Sequence, residues 1–305
     1  MSSPFKNILI VRATGSIGSV IFKALLNEPS FAVTALRRSS SKNKLPSDVK
    51  VITIDDSYPF DALVAAFEGQ DAIVNCMTSL AVGEQRRFID AAVAAKVKRY
   101  VPSEYGLNNN NADAQALSSV FRVKGEVQDY LRSKESLGLE WTSIACGMWL
   151  KWSAQHNFLG MHIKEREFVF WDDGEGWFSV STEENTALGL VNALLNKWRE
   201  TKNRIVYLSD FAMTQNLLLE AIERIGGERF ATKMINSVEY VKEKQAAVAA
   251  GDPYAMYDLI ETGFVTGKYS SHLEKEGEIM NGLLGLPSNS TDEVVKAALE
   301  AAKNL

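Results

Sequence analysis

Short runs of aliphatic and β-branched residues alternate with amphipathic stretches through the first half of the chain. That alternation predicts parallel strands joined by helical crossovers. Six runs read as strands: NILIV from Asn7, FAVTAL from Phe31, VKVITI from Val49, DAIVNC from Asp71, KRYVP from Lys98 and LEWTSIAC from Leu139. Runs so short and so apolar suit strands buried on both faces, and the expected class is α/β with a doubly wound parallel sheet.

After Gly147 the alternation stops. Residues 167–182 read as FVFW, a DDGEG turn and WFSVST, which predicts a β-hairpin. Helical signals dominate beyond it. Ser181 with Glu184 reads as a capping box before ALGLVNALL, Gly226 and Gly227 stop a helix begun near Thr214, and Asp252 with Pro253 opens another. Ser290 with Glu293 starts the last. The asparagine run at 108–111 reads as a solvated loop. The expected division is a nucleotide-binding domain over residues 1–150 and a smaller, mainly helical mixed α/β region over 151–305. The second region binds substrate, and part of it packs back on the first.

The 305 residues are 46% hydrophobic and 23% charged, enough to bury a sizeable core. A net charge of -5 provides no basic field for nucleic acid or anionic lipid, so neither is expected as a partner. No window approaches the ~18 apolar residues of a membrane span. Cys76 and Cys146 lie in apolar runs, where free thiols act as small hydrophobes, and a reducing cytoplasmic location is expected. His156, His162 and His272 lack metal-ligand spacing, and no metal site is expected.

The chemistry begins directly after the first strand, where RATGSIG spans residues 12–18 and runs into a helical pattern. In such a strand-loop-helix, glycines let a pyrophosphate approach the first amides of the helix, whose dipole favours an anion. Gly15 and Gly18 take the second and third glycine positions of this Rossmann-type loop, with Thr14, Ser16 and Ile17 between and beside them. Arg12 stands where the first glycine belongs, putting a Cβ and a long cation into the tightest part of the turn. Its guanidinium has three outcomes: pairing with the cofactor's phosphates, occupying their place, or pointing to solvent. After the second strand an NAD site carries an acid, whereas this chain reads LRRSSSKNK; Arg37, Arg38 and Lys44 suit the 2′-phosphate of NADP(H).

Three signals in order, ATGSIG, DALVAAFEGQDAIVN and VPSEYG at 101–106, followed by SSVFRVK ending at Lys124, resemble the isoflavone reductase and phenylcoumaran benzylic ether reductase group of the NmrA-like proteins. The likeness covers the whole chain and is strongest in the first half. It implies an NADPH-dependent, atypical short-chain reductase in which Lys124 does the acid-base work, acting on an aromatic or polycyclic secondary metabolite; a homo-oligomer is compatible with it. Tyr130 and Lys134 mimic the Y-x-x-x-K of typical short-chain dehydrogenases. Lys134, however, lies ten residues, about 15 Å, further along the helix from the strand ends where open sheets bind ligands. From those strand ends come Thr78, Ser79, Ser103, Tyr105, Gly147 and Met148 as expected cofactor contacts, and Trp149, Trp152, Trp171 and Trp177 are expected to wall the substrate pocket. Two rival functions remain. One is a redox-silent dinucleotide sensor, for which Lys124 is dispensable; the other is a cofactor-independent cyclase or isomerase, in which Arg12 has closed the dinucleotide site.

Overall fold

The computed structural model describes residues 3–303. The six apolar runs form β1 (Asn7–Val11), β2 (Ala32–Arg38), β3 (Lys50–Ile54), β4 (Ala72–Asn75), β5 (Arg99–Val101) and β6 (Glu140–Ala145). Among them lie α1 (Ser16–Leu26), α2 (Phe60–Phe67), α3 (Gln85–Ala94), α4 (Ala112–Leu117) and α5 (Ser119–Lys134). The chain continues through α6 (Leu150–Gln155), β7 (Met161–His162), β8 (Glu167–Trp171), β9 (Phe178–Val180), α7 (Glu183–Leu195) and β10 (Arg204–Tyr207). It ends with β11 (Phe211–Met213), α8 (Gln215–Gly226), β12 (Ala231–Ile235), α9 (Ser237–Ala249), α10 (Ala255–Val265) and α11 (Thr291–Lys303).

The main sheet runs β10-β6-β5-β4-β1-β2-β3, and every neighbouring pair is parallel. The period of two along β1 explains the double winding. Ile8 and Ile10 pack with Ile21 and Leu25 of α1 and Leu190 and Leu194 of α7, while Leu9 and Val11 pack with Phe67, Phe88 and Leu131 from α2, α3 and α5. The strand order reverses between β1 and β4, which opens a crevice at their carboxyl ends.

The sheet has a seventh strand that the six apolar runs do not include. β10 comes from beyond residue 150 yet pairs with β6, and α7 covers the same face as α1. Arg99 fastens this return: fully buried, it donates to Glu140 Oε2 at 2.7 Å and to the Trp198 carbonyl at 2.8 Å. A charge this deep is tolerable because it is both paired and hydrogen-bonded.

The hairpin expected over 167–182 does not form. β8 pairs with β7 and β12, and β9 pairs with β11, in separate sheets. The intervening turn is held elsewhere. Asp172 accepts from the backbone and hydroxyl of Ser237 at 2.8 and 2.6 Å, and a Cβ at Gly176 would lie 2.3 Å from the Val265 carbonyl at the end of α10. The cap of α7 is also displaced by one residue. Thr182 Oγ1 accepts from Asn185 N at 3.0 Å, while the buried Ser181 donates its hydroxyl to the Leu208 carbonyl. The Ser290–Glu293 capping box is present in both directions, and Gly227, at φ 72°, ends α8. Asn109, inside the supposedly solvated run, is buried and donates to Glu104.

A second apolar core joins α6, α8, α10 and α11 to β8 and β9 and reaches the end of α4 through Leu117 and the start of α5 through Phe121. A cavity lies where this core meets the carboxyl ends of the sheet.

Candidate functional site

The site begins in the turn after β1. Arg12 adopts φ 61°, the left-handed conformation that a glycine accepts without strain and an arginine holds at a cost of about 1 to 2 kcal/mol. Gly15 N donates to the Arg12 carbonyl at 3.1 Å, closing the turn, and α1 starts at Ser16 with no side-chain cap and no acid in its first turn. Among the described residues no side chain caps α1, which leaves its first amides open to an outside acceptor. The two glycines differ in what they do. A Cβ on Gly18 would stand 2.2 Å from the Arg12 carbonyl, whereas one on Gly15 would stand at an ordinary 3.5 Å. Gly18→Ala is expected to push the loop off the helix and destabilise the protein by about 1 to 3 kcal/mol, with Gly15→Ala costing clearly less. Equal chemical-denaturation midpoints for the two variants would contradict this account of the loop.

Two clefts meet at Arg12. The smaller, about 80 Å³, is bounded by Arg12, Thr14, Arg37, Arg38, Asn43 and Tyr58. Thr14 Oγ1 accepts from Asn43 at 2.8 Å, Arg37 leaves its buried Nε without a partner, and Arg38 makes only a loose 3.8 Å contact with Asp56. Lys44 is exposed and does not line this cleft; Asn43 and Tyr58, which do, went unnoticed in the sequence. Among the described residues the Arg12 guanidinium has no hydrogen bond or ion pair, so it is free to take an anion.

The larger cavity, about 240 Å³, extends from Arg12, Gly15, Ser16 and Ile17 past Thr78, Ser79, Ser103 and Tyr105 to Lys124. Ser103 spends its hydroxyl proton on the Met77 carbonyl at 2.6 Å, and Tyr105, at φ 38°, stands with its hydroxyl 3.7 Å from Cys76 Sγ. Cys76 and Cys146 are buried thiols that burial pushes up to about 12, consistent with packing rather than nucleophilic roles. Lys124 is only 9% exposed and donates its ammonium to the backbone carbonyl of Glu104. Burial draws the lysine below its ordinary range, and the nearby Glu104 carboxylate opposes that fall.

The aromatic wall is not the one the tryptophans suggested. Trp149 and Trp152 do line the cavity, beside Met148; Trp149 is held by an Nε1 bond to Thr186 Oγ1 at 3.0 Å and Trp152 is stacked on His156. Trp171 instead lies in the second core, donating to Thr262 Oγ1 at 3.0 Å. Trp177 is 42% exposed and stacks on His272 in a separate surface cleft. Gly147 does not line the cavity either; at φ 64° it is needed because a Cβ would meet the Ser179 carbonyl at 2.1 Å. The rest of the wall is Phe121 of α5, Phe158, and Tyr257, Ile260 and Phe264 of α10. Their three- and four-residue spacing along α10 was the available signal. Tyr130 and Lys134 are outside the cavity, both bound to Asp90, at 2.6 and 2.9 Å.

The family model of the NmrA-like family matches residues 4–279. The chain belongs to the NmrA-like family. A relative from Aspergillus flavus named oxidoreductase aprR is 33% identical, over 96% of this chain and 98% of its own length. The phenylcoumaran benzylic ether reductase TP7 of Nicotiana tabacum is 28% identical over 46% of this chain and 47% of its own. Among solved structures, the binary complex of leucoanthocyanidin reductase with NADPH from Vitis vinifera superposes with a TM-score of 0.75 at 16% identity, covering 97% of this chain and 99% of that one. The likeness extends over nearly the whole of both chains, so the α/β sheet and the region after it share one architecture with that reductase. No helix among the described residues is long and apolar enough to cross a membrane.

Proposed function

We propose that this chain is an NADP(H)-dependent reductase of an aromatic or polycyclic secondary metabolite, with Lys124 as the general acid-base. One observation carries the reading: a single cavity joins the uncapped start of α1 to a buried lysine and an aromatic wall. The names of its relatives support it, since they include oxidoreductases and a reductase held with NADPH.

The residues present fit such a cofactor. The amides of Ser16 and Ile17 would take the pyrophosphate, with the free guanidinium of Arg12 beside them. Arg37 and Arg38, in the small cleft on the other side of Arg12, would hold the 2′-phosphate. NADPH, when bound, supplies a hydride. Lys124 would give its proton to the substrate oxygen or take one from a phenol, and the lowering of its basicity by burial eases the donation. Phe121, Trp152 and Phe264 would hold a flat ring system and keep water from the reacting atoms.

Calorimetric titration of the purified protein tests the reading. NADPH is expected to bind about 10- to 100-fold more tightly than NADH, the span that one charge-assisted phosphate contact of ~1.5 to 3 kcal/mol provides. Substrate-dependent NADPH oxidation, followed by absorbance across a panel of phenolic and polycyclic compounds, separates a reductase from a redox-silent sensor. Binding of the organic substrate with no detectable NADPH binding would point to a cofactor-independent isomerase.

A further inference from the structure

We infer that Glu104 is a positioning residue for Lys124, a buried carboxylate in the lining of the same cavity that keeps the lysine in its charged, proton-donating form. The inference rests on the reductase reading only for what Lys124 does with its proton. Glu104 follows β5 within VPSEYG and is 1% exposed. Its backbone carbonyl accepts from Lys124 Nζ, and its Oε2 accepts from Gln128 Nε2 and Asn109 Nδ2, each at 2.7 Å. Lys124 and Gln128 are one turn apart on α5, so two successive rungs of that helix are fastened to one residue, the first on its main chain and the second on its carboxylate.

The arrangement is short of protons. Glu104 Oε1, Asn109 Oδ1 and Gln128 Oε1 are all buried acceptors without a donor among the described residues. A carboxylate left half satisfied in a dry site is expensive unless a positive charge offsets it, and Lys124 is the largest such influence on Glu104. The other charged or titratable groups acting on the pair are few. Arg132 lies further along α5 and acts weakly on Glu104, Cys146 at the end of β6 acts on Lys124, and the hydroxyl of Tyr105 is turned to Cys76. Burial raises Glu104 to about 7, so the carboxylate that supports Lys124 forms near neutrality. Removing that charge leaves burial unopposed and makes Lys124 a weaker base. In turnover, where Lys124 acts as acid, the alkaline limb of the pH profile would move to lower pH.

NMR titration of the protein labelled with ¹³Cε-lysine, without cofactor or substrate, reads this directly; the Lys124 resonance is assigned by its loss in Lys124→Met. In Glu104→Gln the Lys124 midpoint is expected to fall by about one unit or more, and in Glu104→Asp to stay nearer the unmodified value. Should Glu104→Gln fail to fold, Gln128→Met serves: it removes one donor from the carboxylate, raises the pH at which that carboxylate forms, and is expected to lower the Lys124 midpoint by a smaller amount. A midpoint unmoved in every folded variant overturns the inference and leaves the reductase reading standing. Absence of NADPH binding would instead remove that reading and leave the coupling of the two side chains intact.

Discussion

Lys124→Ala is expected to lower kcat about 10²- to 10⁴-fold, the range that a positioned general acid contributes, while NADPH affinity changes by no more than about threefold. The separation follows from geometry. Lys124 lies in the same cavity as the start of α1 but reaches it from α5, anchored on the Glu104 carbonyl. In the proposed reductase its removal would take the proton donor from the reacting end without disturbing the glycine turn before α1. The same change deprives a buried carbonyl of its donor and a buried carboxylate of its counter-charge, which should cost stability by about 1 to 3 kcal/mol. Steady-state kinetics at saturating NADPH, with calorimetric binding and thermal unfolding of the same preparation, distinguishes the three effects. Undiminished turnover would remove Lys124 from the mechanism.

Arg12→Gly should make the fold more stable and the cofactor site weaker. The stability gain comes from the backbone. At φ 61° an arginine carries a steric cost that glycine lacks, so relief of about 1 kcal/mol is expected, less the extra entropy that glycine gives the unfolded chain. The loss comes from the side chain. Its guanidinium borders both clefts with no partner among the described residues, and a charge-assisted contact to phosphate is worth roughly 1.5 to 3 kcal/mol, or about 10- to 100-fold in NADPH affinity. Denaturant unfolding and isothermal calorimetry on the variant measure the two effects independently. NADPH binding that tightens would mean that the arginine crowds the phosphate position, and binding that appears only in the glycine variant would bring the redox reading down.

Residues of the site differ in how readable they are. Gly18 was visible because a strand, a glycine turn and a helix are contiguous, and the steric demand on it arises from Arg12, six positions away. Arg37 and Arg38 were visible for the same local reason. Glu104 was not, although it stands in a motif that was noticed, because its burial depends on Asn109 in a polar run and Gln128 on another element. The tryptophans show the converse error. Their nearness along the chain suggested one wall, yet the turn between β8 and β9 sends Trp171 into the second core and Trp177 to the surface.

By itself the sequence determined six of the strands in the main sheet, the two apolar faces of β1, the glycine turn into α1 and the place of Lys124 on the helix after β5. Tertiary structure alone decided that β10 returns to complete the sheet, that β8 and β9 part company, and that α10 supplies Tyr257, Ile260 and Phe264 to the cavity. The physical reason is that local periodicity records which face of a segment must leave water, and many partners satisfy that requirement equally well. The choice among them rests on long-range contacts such as Arg99 with Trp198 and Asp172 with Ser237, which no window of neighbouring residues contains.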